Sequence, residues 1–278
     1  QDASGAWRNQ RRRSPVLHFG SMDDHRTVQF VGAGPGAADL LTVRATRMLA
    51  AADVVLYPGS YLDPEVLAHC SPGAELIDTA PLDLDDIVDR IVAAHQAGRR
   101  VVRLVSGDPS LYSAVSEQTR RLDAAAVPWA VTPGVPAYAA AAARVGRELT
   151  MPLVAQSVVL TRTQQRSTAM PDTESLAAFA ATRATLVLHL AVTRIRELMA
   201  ELSPDYGPDC PVVVVYRASQ PQEVVLRGTV SDIADAVQAA GFRYAAVILV
   251  GRALADRADP CAGESHLYDP ARDRSLRP

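Results

Sequence analysis

The sequence predicts an α/β protein built of two domains. Short β-branched runs alternate with helical patterns, the alternation comes in two blocks, and strand ends in the first block run into turns rich in Gly and Pro. Strands that alternate with helices need crossover connections, and those favour a largely parallel sheet.

In the first block, strands are expected at 28–31, 54–57, 101–105 and 129–132, and helices at 40–51, 84–97, 111–125 and 137–145. Asp83 stands where an N-cap belongs, Asp86 follows three residues on, and Gly98 succeeds the end of that helix. In the second block, strands are expected at 154–161, 185–190, 212–216, 224–227 and 246–250, with helices at 176–180, 195–202 and 233–240. The polar stretch 164–172 reads as a surface loop.

Gly146-Arg147-Glu148-Leu149-Thr150-Met151-Pro152 lies between two complete blocks, so the joint is placed there. The expected domains are 27–146 and 147–255, with a leader at 1–26 and a tail at 256–278. Two α/β domains meeting at a short linker make a cleft, the usual place for a small-molecule site. The leader is aperiodic, carries Arg11, Arg12 and Arg13, and lacks the apolar stretch of a secretory signal. It reads as a disordered leader or a vector remnant, with Met22 as the natural start. The tail is polar and punctuated by Pro, as a loose end would be.

Composition narrows the function classes. The chain has 278 residues, 48% hydrophobic and 21% charged, as ordinary globular proteins do. No apolar run, 245–250 included, approaches the roughly 20 residues that span a bilayer, so no membrane role is expected. A formal charge of −3 provides no field for nucleic acid. All 28 basic residues are Arg. Coding bias from a GC-rich genome is the first explanation, yet the planar guanidinium also suits a polyacidic substrate. Cys70, Cys210 and Cys261 are scattered and odd in number, which points to a reducing cytoplasm rather than a disulfide framework. Neither they nor the six His show ligand spacing, so no metal is expected.

Three strand ends carry the chemistry. The first strand enters Gly32-Ala33-Gly34-Pro35-Gly36, a turn that lets backbone N–H groups approach an anion, as in dinucleotide-binding folds. The spacing is GxGxG, however, and Pro35 removes one donor. The second strand ends in Tyr57-Pro58-Gly59 rather than an acidic residue. A tight strand–helix turn therefore competes with the NAD-dependent oxidoreductase reading. The strand at 101–105 leads into Ser106-Gly107-Asp108-Pro109-Ser110-Leu111-Tyr112. Asp108 stands where open α/β sheets bind ligands, and equally where the helix at 111–125 would take an N-cap. The strand at 129–132 ends in Thr132-Pro133-Gly134-Val135-Pro136-Ala137, a stiff, side-chain-poor surface suited to a flat ligand or to an ordinary rigid turn.

In this order the three motifs resemble the tetrapyrrole methylases, class III methyltransferases outside the Rossmann type. The resemblance covers residues 27–253 and continues through 146–150, 160–163, 184–190, 216–219 and 248–251. Within the family these segments look like the branch that methylates C11 of precorrin-4. Where the family usually reads GPGDPDLLT, this chain has Gly34-Pro35-Gly36-Ala37-Ala38-Asp39-Leu40-Leu41-Thr42, without the first acidic residue and its Pro.

The resemblance implies a two-domain fold with its active site in the interdomain cleft. It implies S-adenosyl-L-methionine as methyl donor, a tetrapyrrole substrate, no nucleic-acid partner, and a cytoplasmic homodimer. Carried over, the donor site comprises Gly107, Asp108, Leu111, Tyr112, Pro136, Ala137, Leu188, Tyr216, Arg217 and Ala218. Gly36 and Pro58 line the substrate trough, and Arg103, Arg147 and Arg162 are candidates to pair with substrate carboxylates, as is Arg217. Asp108 is the candidate catalytic residue, as donor organiser first and general base second. Cobalt-precorrin-4 as substrate and another tetrapyrrole C-methylation remain alternatives.

Overall fold

A computed structural model describes residues 26–59, 62–163, 169–255, 263–266 and 271. The expected leader lies outside the described residues except for Arg26, as do residues 164–168 of the expected loop and most of the tail. The chain divides into two compact units: Gln1–Gly34 with Ala38–Val135, and Pro35–Ala37 with Pro136–Pro278.

The first unit is a five-stranded parallel sheet. In chain order it holds β1 (Val28–Gly32), α1 (Val43–Ala51), β2 (Val54–Tyr57), α2 (Pro64–Leu67), β3 (Glu75–Asp78), α3 (Leu84–Gln96), β4 (Val101–Val105), α4 (Val115–Ala124) and β5 (Trp129–Thr132). The strand order is β3-β2-β4-β1-β5. Both faces are covered, as a parallel sheet requires. Phe30, Leu56, Ile91 and Leu122 pack on one face, and Val31, Val55, Leu104 and Leu49 on the other.

Helix starts follow local chemistry. Asp83 caps α3 by accepting from Asp86 N at 2.9 Å, as the spacing predicts, and Thr42 caps α1 by accepting from Ala45 N at 3.1 Å. The Thr42 cap sets the start of α1 at Val43, three residues after the expected 40. Two elements escaped the sequence reading. Helix α2 is a single turn capped by Asp63, and β3 is an edge strand whose Glu75 and Asp78 break the apolar pattern. Helix α4 begins at Val115 rather than 111, because Tyr112 and Ala114 adopt left-handed φ values of 52° and 53°.

The second unit holds α5 (Ala137–Val145), β6 (Val158–Arg162), α6 (Leu176–Ala180), β7 (Thr185–His189), α7 (Ile195–Tyr206), β8 (Pro211–Tyr216), β9 (Val224–Thr229), α8 (Ile233–Ala240) and β10 (Ala246–Val250). Its sheet runs β6-β7-β10-β8-β9, with β6 parallel to β7 and the remaining pairings antiparallel. Leu186, Leu188, Ile195, Leu202, Ile233 and Ile248 form the core on one face. On the other face α5 lays Ala140, Ala141, Ala142 and Val145 against Val187, Val213, Val215 and Leu249.

That packing moves the domain joint. The sequence places it after residue 146, whereas α5 belongs to the second unit and the division falls between Val135 and Pro136. The physical reason is the alanine face of α5: without long side chains, the helix lies close against valines of the second sheet. Ala141 is fully buried there. Ala141→Leu is therefore expected to lower stability by about 1–3 kcal/mol through overpacking, measured by urea unfolding.

Candidate active site

The first unit gathers its motif residues at the carboxyl edge of the parallel sheet, where three strand ends are joined by backbone. Pairing between β1 and β4 continues past the strands: Ala33 N donates to Val105 O at 2.8 Å, Gly34 N to Gly107 O at 3.2 Å, and Gly107 N to Gly34 O at 2.8 Å. The β5 end approaches the same point. A Cβ on Gly32 would lie 2.5 Å from Gly134 N, and one on Gly134 would lie 2.3 Å from Gly107 O. No side chain fits at such distances, so Gly32 and Gly134 are required for the close approach. The glycines of the first turn thus serve contact between loops, which answers the question left open between a tight turn and a phosphate cradle.

Asp108 fastens this junction. Its Oδ2 accepts from Gly134 N at 2.8 Å, and its Oδ1 accepts from Ser110 N at 2.9 Å and from the Ser110 hydroxyl. It is not the cap of α4, because that helix starts seven residues later with no side-chain cap. Burial alone would raise its pKa, but hydrogen bonds from the Ser110 side chain, Gly134 and the Ser110 backbone outweigh it and hold the carboxyl below its ordinary value. With both oxygens accepting, Asp108 is an anion that organises two loops and a poor proton acceptor. After it, Leu111 N closes a turn on Asp108 O at 3.2 Å, and Tyr112 is left 45% exposed in its left-handed conformation. Pro58 ends β2 on the same edge.

Arg103 does not belong to this surface. It is 7% exposed in mid-strand, donating to Gln118 Oε1 at 3.2 Å and to Leu104 O at 3.0 Å. Burial pushes its pKa down to about 10, so it stays cationic at neutral pH. A buried structural role stands in place of the carboxylate clamp expected of it, because its strand position points it at α4.

The second unit collects a set of its own at one edge of its sheet. Arg162 and His189 end β6 and β7 side by side, and Tyr216 ends β8. Tyr138, in the first turn of α5 after Pro136 and Ala137, meets the His189 ring edge-on at 6.5 Å. His189 is largely buried, which pushes its pKa down to about 4, so the imidazole is neutral at pH 7.

Tyr216 stacks on Phe242 at 4.4 Å and lies edge-on to Tyr244 at 6.3 Å. Arg217 places its guanidinium 5.7 and 5.6 Å from the Tyr216 and Tyr244 ring centres and donates to Gln222 Oε1 at 3.2 Å. Ala218 is buried beside it.

Three expected residues sit differently. The Leu188 side chain is wholly in the core between β6 and β10, and the exposed residue at that strand end is Leu190, 62% exposed with φ 53°. Gly36 is buried under Gln220, whose Cγ lies 2.2 Å from where a Gly36 Cβ would be. Arg147 follows Gly146 at the end of α5 opposite Pro136 and Ala137, a helix length of about 13 Å, so α5 does not bring it to them. Of the residues missed, His189 and Leu190 stood inside a quoted motif, whereas Phe242 and Tyr244 gave no signal in the sequence.

Comparison with known proteins decides the family. The family of Tetrapyrrole (Corrin/Porphyrin) Methylases matches residues 27–234. The chain belongs to the tetrapyrrole methylases. It is 55% identical over 249 residues to a precorrin-4 C(11)-methyltransferase of Rhodococcus erythropolis, spanning 90% of this chain and 99% of that protein. Among solved structures it is similar to a cobalt precorrin-4 methyltransferase, with TM-score 0.80 and 40% identity over 83% of this chain and 97% of the other. It is also similar to a uroporphyrin-III C-methyltransferase of Thermus thermophilus complexed with S-adenosyl homocysteine, at TM-score 0.67 and 30% identity over 82% of this chain and 98% of that one. For this tetrapyrrole methylase the oxidoreductase alternative falls away, and S-adenosyl-L-methionine is the cofactor.

Two outcomes check the junction. Gly134→Ala is expected to cost about 3 kcal/mol or more by overpacking, whereas Gly73→Ala, with nothing within 4 Å of its new Cβ, is neutral to within about 0.5 kcal/mol. Urea unfolding measures both. Because the folded pKa of Asp108 is depressed, its contribution is present above the ordinary carboxylate value of about 4 and is lost as pH falls through the folded value. Acid titration of stability should therefore show a steeper loss below about pH 4 in the wild type than in Asp108→Asn.

Proposed function

We propose that this chain transfers the methyl group of S-adenosyl-L-methionine to C11 of precorrin-4, giving precorrin-5 on the route to cobalamin. The observation that carries this reading is its 55% identity, across nearly the whole length, to a protein named for that reaction. Metal-free precorrin-4 is favoured over the cobalt form because the solved cobalt precorrin-4 methyltransferase is 40% identical. The same reading takes the protein to be a cytoplasmic homodimer.

The residues fit such a cofactor. The first unit offers Gly107, Asp108, Leu111 and Tyr112 on a backbone-rich edge with one committed carboxylate, and the second offers Pro136, Ala137, Tyr216, Arg217 and Ala218 with an aromatic cluster. The cofactor supplies a methyl group on a positively charged sulfur, an electrophile needing no acid to activate it. A ring carbon of the tetrapyrrole provides the electrons, so the protein's task is orientation. Asp108 keeps the Gly107 and Gly134 turns in one geometry and stays anionic at neutral pH. Arg147, Arg162 and Arg217 are the candidates for the acetate and propionate arms, each such pair contributing on the order of 1–3 kcal/mol when partly desolvated. His189, neutral at pH 7, adds no competing positive charge beside Arg162.

Incubation with labelled S-adenosyl-L-methionine and precorrin-4, followed by NMR location of the new methyl, tests the reading. The expected product carries the label at C11. Label at another carbon, or no transfer, would overturn it. Asp108→Asn should retain the fold and bind S-adenosyl-L-homocysteine about tenfold more weakly, as one charge-assisted hydrogen bond is lost.

A further inference from the structure

The turn after β1 divides between Gly34 and Pro35. Gly32, Ala33 and Gly34 are knitted to β4 in the first unit, whereas Pro35–Ala37 cluster with the second. Two adjacent residues, Ser219 and Gln220, between them touch all three. Ala37 N donates to Ser219 Oγ at 3.1 Å, Gln220 Nε2 donates to Pro35 O at 3.2 Å, and the Gln220 side chain fills the space a Gly36 Cβ would need. Pro35 and Gly36 are buried in consequence.

Ser219 and Gln220 are themselves held in place. Arg217 and Ser219 adopt left-handed φ values of 46° and 68°. Gln220 N bonds Arg217 O at 3.0 Å, and Glu223 N bonds Gln220 O at 2.9 Å. The Glu223 carboxylate accepts from Ser219 N at 2.7 Å and pairs with Arg144 of α5. Non-glycine residues hold such dihedrals only where surrounding contacts enforce them, and here those contacts aim both side chains at Pro35–Ala37.

We propose that Ser219 and Gln220 are positioning residues for the methyl transfer. They fix the loop Pro35–Ala37, on the substrate side, to the strand end at 216–218, on the donor side, with the Gln220 side chain covering Gly36 and presented in its place to the tetrapyrrole. This rests on the proposed function, since it uses the donor role of 216–218 and the substrate role of the loop around Gly36. One backbone segment then carries both registers, and the order of the substrate loop follows from the order of the donor segment.

The test is a double-mutant cycle on full-length protein, read by the KM for precorrin-4, the Kd for S-adenosyl-L-homocysteine and thermal unfolding. Gln220→Ala should raise KM about tenfold, the size expected from one lost hydrogen bond and the order it imposes. The Kd for S-adenosyl-L-homocysteine should stay within about twofold and unfolding be little changed, since the donor segment keeps its Glu223 and Arg144 ties. Gln220→Glu keeps the length but loses the donor to Pro35 O, and should show the same rise in KM. Gly36→Ala must expel the Gln220 side chain, so its KM should rise equally, and the double variant Gly36→Ala/Gln220→Ala should be no worse than either single one. An unchanged KM in Gln220→Ala, effects that multiply in the double variant, or a Kd rising in step with KM would overturn the proposal. Wild-type protein that fails to bind S-adenosyl-L-homocysteine would instead remove the proposed function, and this inference with it.

Discussion

The site depends on a backbone contact that only glycine permits. Gly32, Gly107 and Gly134 end three adjacent parallel strands and come so close that a Cβ on Gly32 or Gly134 would collide with main-chain atoms. Close-packed interiors give such a junction no room to relax. Asp108 then spans the gap, one oxygen to Gly134 and the other to Ser110. The carboxylate replaces hydrogen bonds that a ladder would supply if the strands continued. Three separate loops become one rigid edge, and rigidity is what an orientation-limited reaction asks of a protein.

The second unit solves a different problem with different means. Its sheet is mostly antiparallel, and the edge that carries Tyr216 and Arg217 is organised by aromatic and guanidinium packing rather than by glycine. Arg217 is held between two tyrosine rings and Gln222, contacts that restrict its side-chain freedom. The alanine-rich α5 lies against the opposite side of this core from α7 and α8. Its first turn carries Tyr138 to His189, placing Pro136 and Ala137 near the ends of β6 and β7.

Much of this was legible in the sequence, for reasons that can be stated. Strands of the first unit are buried on both faces and read as continuous β-branched runs, and Asp83 and Gly98 mark α3 without ambiguity. The motif turns stood out because Gly and Pro are rare enough to be noticed where strands end. What stayed hidden was tertiary. Edge strand β3 is short and half acidic, so its pairing with β2 left no periodic trace. The joint was misplaced by one helix because alanine carries no sign of which sheet it will pack on. Arg103 reads as a partner for substrate carboxylates because nothing local shows that Gln118, fifteen residues on, awaits it. Gln220 and Gly36 are distant in the chain, and only their contact explains why the glycine is there.

A titration of isotopically labelled protein with S-adenosyl-L-homocysteine, followed by amide NMR, addresses the glycine junction most directly. The backbone amides of Gly107, Asp108, Tyr112 and Gly134 should show the largest shifts in the first unit and exchange more slowly once ligand is bound. Saturable binding that leaves those amides unmoved would contradict a donor site built on that edge.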